Sequence, residues 1–207
     1  DMVTILDNFK NIKLNLNVVP VLLDAFIDYG EKGLHDLHSR LTVTDVKDLT
    51  PDDKEFILNN FFDSNYRTMI LPYEEYNRLF QKRQNMSEAD IDAFTNQEYS
   101  DLMALFNLAW FDPSYKNEYL DLKKLFKKGK DFTLEDRQKI IEIQRDIIRR
   151  IIPAYRNYVE NGKIEVTTSP YYHPILPILL DIKSIKIANK EGLPVCLLYT
   201  SPSPRDA

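Results

Sequence analysis

Two short strand patterns, separated by a long stretch of helical patterns, most constrain how this chain can fold. Residues 13–19 alternate polar and apolar side chains with the period of a strand, and residues 163–168 form a β-branched run. Between them, residues 31–162 carry helix-start signals and no strand pattern. Two strands alone do not bury a sheet. The sequence therefore predicts an α/β fold that is interrupted by a large, mainly α-helical insertion.

Local signals place the helices of this fold. Pro20 ends the first strand and suits the first turn of a helix over residues 21–29, which Gly30 is expected to cap. Within the insertion, the helix-start signals are Thr50, Pro72, the capping box Thr95 to Glu98, and Thr133. Strand followed by helix is the repeating unit of α/β folds, so the first strand and helix indicate that class.

The longest predicted helix begins after Thr133 and has one apolar face. Its inward side chains are Ile140, Ile143, Ile147, Ile151, Tyr155 and Tyr158. The charged residues expected outside this face are Arg137, Glu142, Arg149 and Arg156. Pro153 is expected to kink the helix, because proline removes a backbone donor.

A proline-rich aromatic loop follows the second strand. Residues 169–177 hold Tyr171, Tyr172 and His173 among prolines that restrict the backbone. In α/β folds, the loops that follow strands bind ligands. A sugar ring presents C–H faces that pack on aromatic rings and hydroxyls that need hydrogen-bond partners, so this loop suits sugar recognition. The structural alternative is a core Tyr171 with an ordinary hydrogen-bonded His173.

Residues 164–177, which read IEVTTSPYYHPILP, resemble the second conserved motif of glycoside hydrolase family 57. Residues 105–113, LFNLAWFDP, and the strand and helix over 13–29 resemble the bacterial α-amylase-like branch of that family. The similarity runs collinearly across residues 1–195. A match of several ordered segments is more specific than one short pattern.

The resemblance implies a (β/α)7-type barrel, of which residues 1–195 form an incomplete N-terminal part and residues 31–162 the helical insertion. It also implies retaining cleavage or transfer at α-glucosidic bonds, with an α-glucan or malto-oligosaccharide as substrate and no cofactor. Retention needs two carboxylates about 5 Å apart. The family's catalytic motifs would follow Pro194, so we expect no catalytic residue in this chain and no activity from the fragment alone.

The same resemblance supplies the expected substrate-binding residues. His173 is expected to reach a substrate hydroxyl, with Tyr172 and Tyr171 beside it and Glu165 at the start of the strand. Other branches carry different residues at the position of His173, which indicates a subsite role rather than proton transfer. Trp110 resembles a sugar platform, but its place late in an amphipathic helix favours packing in the core.

Two other functions remain open from the sequence. His35 and His38 are spaced like a helical metal pair, which would suit a metal-dependent polysaccharide deacetylase-like barrel. Zinc needs a rigidly held third ligand, and Glu31 and Asp36 lie in a segment without a strong helical pattern, so no metal site is predicted. The helical stretch would also suit a noncatalytic binding or scaffold module.

The charge and the cysteine content of the chain limit which binding partners and which cellular compartment are expected. The net charge is -5, with 27 basic and 32 acidic residues spread along the chain, so we predict no nucleic-acid partner. The longest apolar runs are far shorter than the roughly 20 residues that span a bilayer, so no membrane segment is predicted. Cys196 is the only cysteine, which excludes an intrachain disulfide and favours a cytoplasmic location. No pattern indicates an oligomeric state.

Neither end of the chain looks like the end of a natural domain. Residues 1–6 resemble the inside of an amphipathic helix, without a charged leader or apolar signal core, so we expect the true N-terminus upstream. Residues 196–207 resemble a translated sequencing-adapter tail and are expected to be non-native. A genuine disordered tail rich in serine and proline is the alternative.

Overall fold

The computed structural model describes residues 4–9, 11–86 and 90–188, and the expected tail over 196–207 lies outside them. Two strands, β1 (Leu14–Val18) and β2 (Ile164–Thr168), pair in parallel along their full length. Both predicted strands are therefore confirmed, although 150 positions separate Val18 from its hydrogen-bonded neighbour Thr168. In the described part of the chain, the mainly helical segment between these strands, residues 31–162, returns to one small sheet, and we refer to this segment as the insertion.

Helices joined by turns and loops make up the rest of the described chain, and no described residue between α1 and β2 lies in a strand. The α-helices are α1 (Pro20–Gly30), α2 (Leu37–Val43), α3 (Pro51–Asn60), α4 (Glu74–Gln84), α5 (Asn96–Ala109), α6 (Tyr115–Glu118), α7 (Leu120–Lys128), α8 (Leu134–Glu160), α9 (Leu176–Leu180) and α10 (Ile185–Ala188). Shorter 3-10 turns span Thr4–Asn8, Val46–Asp48 and Ile182–Ser184, and one π turn spans Tyr66–Ile70.

Capping boxes start three of these helices. In each box, the threonine hydroxyl accepts a hydrogen bond from a backbone N–H in the first turn, and the acidic side chain accepts one from the threonine N–H. The pairs are Thr50 with Asp53, Thr95 with Glu98, and Thr133 with Asp136. The three threonine starts are confirmed, whereas the start at Pro72 is wrong by two positions because α4 begins at Glu74.

The main hydrophobic core lies inside the insertion. Helix α5 runs through its centre and packs against α2, α3, α4 and α8. The side chains that fill this core include Leu41, Ile57, Phe61, Leu79, Leu102, Phe132, Ile140 and Ile143. A second, smaller cluster of Leu6, Tyr158 and Ile164 lies beneath the strands. Helix α8 contributes to both clusters and so connects the insertion to the sheet.

Arg137 departs from the prediction for the longest helix. The predicted position outside the apolar face is wrong, because the side chain is only 2% exposed. Its Nη1 donates to the carbonyl oxygens of Thr42 at 2.7 Å and Thr44 at 2.8 Å, which offset the cost of burial. Burial lowers the pKa of the Arg137 guanidinium to about 10.

Gly30 also has a role different from the predicted one. It is the last residue of α1 rather than a cap, and the left-handed glycine of this region is Gly33, with φ of 69°. A Cβ on Gly30 would lie 3.2 Å from Cγ of Arg149 and 3.3 Å from Cγ2 of Ile148. The cap prediction is wrong, and the glycine instead permits close approach of α1 to α8.

Candidate functional site

The loop after β2 is built at the carboxyl ends of the two strands, against the first turn of α1. The backbone N–H of Val21 donates to the carbonyl of Tyr171 at 3.4 Å. At the strand end, the Thr168 hydroxyl donates to the carbonyl of Val18 at 2.9 Å. The loop thus lies where parallel α/β sheets bind their ligands.

Tyr171 anchors this loop to α1 through its side chain. Its hydroxyl donates to the carboxylate of Asp24, and this hydrogen bond, with burial and the negative charge, raises the pKa of Tyr171 to about 12. The ring meets that of Tyr172 nearly edge-on, with centroids 4.7 Å apart and an interplanar angle of 85°. Tyr171 is 43% exposed, so the alternative of a core tyrosine is wrong.

Tyr172 and His173 form the open part of the loop. Tyr172 is 76% exposed. His173 adopts a left-handed backbone conformation with φ of 55°, and its N–H donates to the carbonyl of Pro170 at 2.8 Å, which closes a turn. Its Nδ1 lies 2.7 Å from the hydroxyl of Ser169, and the tautomer decides which atom donates. This contact orients the ring and leaves Nε2 without a hydrogen bond to any described residue.

Glu165 lies apart from these three residues. It is the second residue of β2, is exposed, and is opposite Asn15 of β1. From Glu165 to Thr168 a strand rises about 10 Å, so this carboxylate lies towards the amino end of the sheet, away from the loop. The structure brings Tyr171, Tyr172 and His173 together, and contact of these residues or Glu165 with sugar stays a prediction.

Two polar residues of the site were absent from the predicted set. Asp24 binds the Tyr171 hydroxyl, and Ser169 orients His173. The sequence signal for Asp24 is an acidic residue within the apolar pattern of α1, which also contains Asp28, and this signal does not identify the partner of either carboxylate. Ser169 lies in the motif over residues 164–177, but a serine at that position does not by itself indicate a contact with His173.

The contacts of the two histidines of the insertion indicate structural roles. His38 lies in α2 among three aromatic rings, with centroid distances of 5.2, 5.1 and 5.5 Å to Phe56, Phe61 and Phe106. His35 precedes α2, where its Nε2 is 2.7 Å from Nη2 of Arg145 and its Nδ1 is 3.2 Å from the Ser39 hydroxyl. Burial, together with the Arg145 charge, lowers the pKa of His35. The described residues contain no group of three or more His, Cys, Asp or Glu side chains that could hold a metal ion.

A pocket of about 310 Å³ opens on the surface of the insertion, between α8 and the segment after α5. Its lining residues are Trp110, Phe111, Asp112, Tyr115, Gln144, Ile147, Ile148 and Ile151. Trp110 is 59% exposed, so the prediction that it packs in the core is wrong. The reason is that α5 ends at Ala109, and the chain then turns.

A parallel strand pair followed at its carboxyl end by an exposed loop of aromatic and polar residues is an α/β arrangement, a class of fold whose ligands bind at that edge of the sheet. The family model described as glycosyl hydrolase family 57 matches residues 2–191, and the chain belongs to this family. The resemblance seen in the sequence is thereby confirmed, and the chain is assigned to a family of glycosidases. No curated protein and no solved structure matches it. No helix in the described ranges is long and apolar enough to cross a membrane.

Proposed function

We propose that this chain is part of a retaining, α-amylase-like glycoside hydrolase or glucanotransferase, and that the loop after β2 forms one of its sugar subsites. The observation that carries the proposal is the family match over residues 2–191, taken with an exposed Tyr172 and His173 at the carboxyl ends of the paired strands. In the proposal, β1 and β2 are neighbouring strands of a (β/α)7 barrel, and residues 31–162 are its helical insertion.

The chemistry of the loop fits an uncharged polyhydroxyl ligand. The exposed ring of Tyr172 offers a face for the C–H groups of a glucosyl unit. The Nε2 of His173 donates to or accepts from a sugar hydroxyl, according to the tautomer of the ring, and the Ser169 hydroxyl can pair with Nδ1 in either tautomer. The proposed role is substrate positioning, and the two catalytic carboxylates are supplied by sequence outside this chain.

The test uses the complete enzyme with maltoheptaose as substrate. We expect turnover, with the α-anomer as the first product seen by NMR, because retention preserves the configuration of the scissile bond. We expect no turnover from the purified 207-residue chain. Turnover by that chain alone would show that the carboxylates lie inside it, and a β-anomeric first product would exclude the retaining mechanism.

Variants of the loop test the proposed subsite in the same enzyme. His173→Ala and Tyr172→Ala should each lower kcat/KM for maltoheptaose about tenfold, the equivalent of about 1.4 kcal/mol of transition-state binding. Tyr66→Ala is a matched control, because Tyr66 is likewise an exposed tyrosine, at 39%, but it packs on Phe80 in the insertion, away from the loop. Equal kcat/KM values for all three variants and the parent enzyme would contradict the proposal that the loop is a sugar subsite.

One observation favours a second function. The main hydrophobic core closes within the insertion, and the strands add only the small cluster around Tyr158. A helical body with its own core is also what a noncatalytic binding module requires. This alternative gains support if the complete enzyme fails to act on any glycoside while the chain still binds a saccharide.

A further inference from the structure

The pocket beside Trp110 has the parts of a carbohydrate site. Trp110 follows α5 directly, and its ring lies edge-to-face with Phe106, with centroids 6.4 Å apart and an interplanar angle of 69°. This contact restricts the indole, while its 59% exposure leaves most of the ring surface open to solvent. A held but exposed aromatic ring is the surface on which the C–H face of a pyranose packs.

Polar atoms stand beside this ring and are oriented by contacts of their own. Oδ1 of Asp112 accepts from the backbone N–H of Ser114 at 2.9 Å and from its hydroxyl at 2.6 Å. These hydrogen bonds lower the pKa of Asp112, so its carboxylate stays ionised. Nε2 of Gln144 donates to Oδ1 of Asn107 at 3.1 Å. Oδ2 of Asp112 and Oε1 of Gln144 therefore remain as acceptors with no hydrogen bond to the described residues.

The size and floor of the pocket limit what it accepts. Side chains of Ile147, Ile148 and Ile151 from α8 form an apolar floor. The volume of about 310 Å³ is at the low end of the roughly 300–1,000 Å³ of small-molecule sites, which suits one sugar ring rather than a whole oligosaccharide. An aromatic platform, an apolar floor and two acceptors match a glucosyl unit, which has C–H faces and hydroxyl donors.

We propose that the Trp110 pocket is a second glucan-binding site, in which the indole stacks on one glucosyl unit while Asp112 and Gln144 accept hydrogen bonds from its hydroxyls. The choice of an α-glucan as the occupant rests on the function proposed above. None of the pocket residues belongs to the loop after β2, so the site adds a contact for the same polymer on the helical insertion.

Trp110 reports directly on its own site, because it is the only tryptophan in the chain. Titration of the 207-residue chain with maltoheptaose should give a saturable change in tryptophan fluorescence, and cellohexaose should give none. Asp112→Asn and Gln144→Ala should each weaken the apparent Kd about tenfold, with far-UV circular dichroism confirming that the variants fold. Tyr66→Ala is the control, since Tyr66 is an exposed tyrosine of the insertion that lies outside the pocket and the loop after β2, and it should leave the Trp110 response unchanged.

Four results would overturn the inference. These are an unchanged tryptophan signal with maltoheptaose, an equal response to cellohexaose, a response only to an apolar dye, and a signal that follows protein concentration without sugar. The third would assign the pocket to an apolar partner and the fourth to a second copy of the chain. Turnover of maltoheptaose by the complete enzyme is a separate measurement. An unchanged Trp110 fluorescence would therefore contradict the second site without contradicting the proposed function.

Discussion

Arg137 holds a positive charge inside the insertion with carbonyl oxygens as its hydrogen-bond acceptors. Replacement by alanine would leave the carbonyls of Thr42 and Thr44 without these donors, at 2.7 and 2.8 Å in the intact protein. An unsatisfied buried acceptor costs about 1–3 kcal/mol. We therefore expect Arg137→Ala to lower the free energy of unfolding by about 3 kcal/mol, measured by urea denaturation.

The control for this prediction lies on the same helix. Arg156 of α8 is exposed, and Arg156→Ala should change the free energy of unfolding by less than about 0.5 kcal/mol. Equal losses for the two variants would show that the burial of Arg137 adds nothing to stability. The sequence periodicity of α8 places both arginines outside the apolar face. Periodicity within one helix cannot show that the carbonyls of Thr42 and Thr44, at the end of α2, accept hydrogen bonds from Arg137.

Glu98 should make the stability of the insertion depend on acid pH. Burial alone would raise its pKa, but hydrogen bonds outweigh this effect and lower the pKa from 4.5 to about 2. The donors are Nζ of Lys82 at 2.7 Å, the backbone N–H of Thr95 at 2.8 Å and Nη2 of Arg78 at 2.9 Å. The folded state therefore keeps Glu98 ionised at pH values where the unfolded chain binds a proton.

The lowered pKa of Glu98 determines how the stability of the fold changes with pH. The ionised carboxylate stabilises the fold fully above about pH 4.5, and this contribution is lost as the pH falls towards about 2. Urea denaturation should find Glu98→Gln less stable than the parent at neutral pH, with a difference that shrinks on acidification. Glu142→Gln is the control, because its side chain is 67% exposed and its ion pair with Lys139 lies at the surface. A difference that stays constant from neutral to acid pH contradicts the prediction.

Gly30 should limit how closely α1 and α8 can pack. A valine there would place branched atoms where a single Cβ already lies 3.2 Å from Arg149 and 3.3 Å from Ile148. Overpacking of this kind costs about 1–3 kcal/mol. We expect Gly30→Val to lower the free energy of unfolding by about 2 kcal/mol, and Leu22→Val, at an exposed position of α1, to have little effect. A stable Gly30→Val protein would mean that the two helices can separate without loss.

The elements differ in how far the sequence predicts them. Capping boxes such as Thr133 with Asp136 depend on residues three positions apart, so helix starts were predictable. The roles of Gly30 and Arg137 depend on partners far along the chain, which no local pattern contains. The site follows the same rule, since the aromatic loop was visible in the sequence but the contact of Tyr171 with Asp24 joins residues 147 positions apart.

At the scale of the whole molecule, stability is distributed unevenly between two hydrophobic clusters. The insertion contains the large core that includes Leu102 and Ile140. The strands rest on a small cluster centred on Tyr158 and Ile164, and most residues of β2 are exposed. Regions with few buried apolar contacts open at lower free energy than the rest of a protein. The two strands should therefore open before the helical body unfolds.

Hydrogen exchange can test this order of opening. Amides of β1 and β2 should exchange faster than those of α5, because opening the sheet leaves the large core intact. Ile164→Ala should speed exchange in the strands and leave α5 unchanged, whereas Ile140→Ala should speed exchange in α5, since Ile140 is fully buried in the main core. Mass spectrometry of peptides from both regions provides the readout. If Ile164→Ala accelerates α5 as much as it accelerates the strands, the sheet and the insertion unfold as one cooperative unit, and the loop after β2 is held as firmly as the helical core.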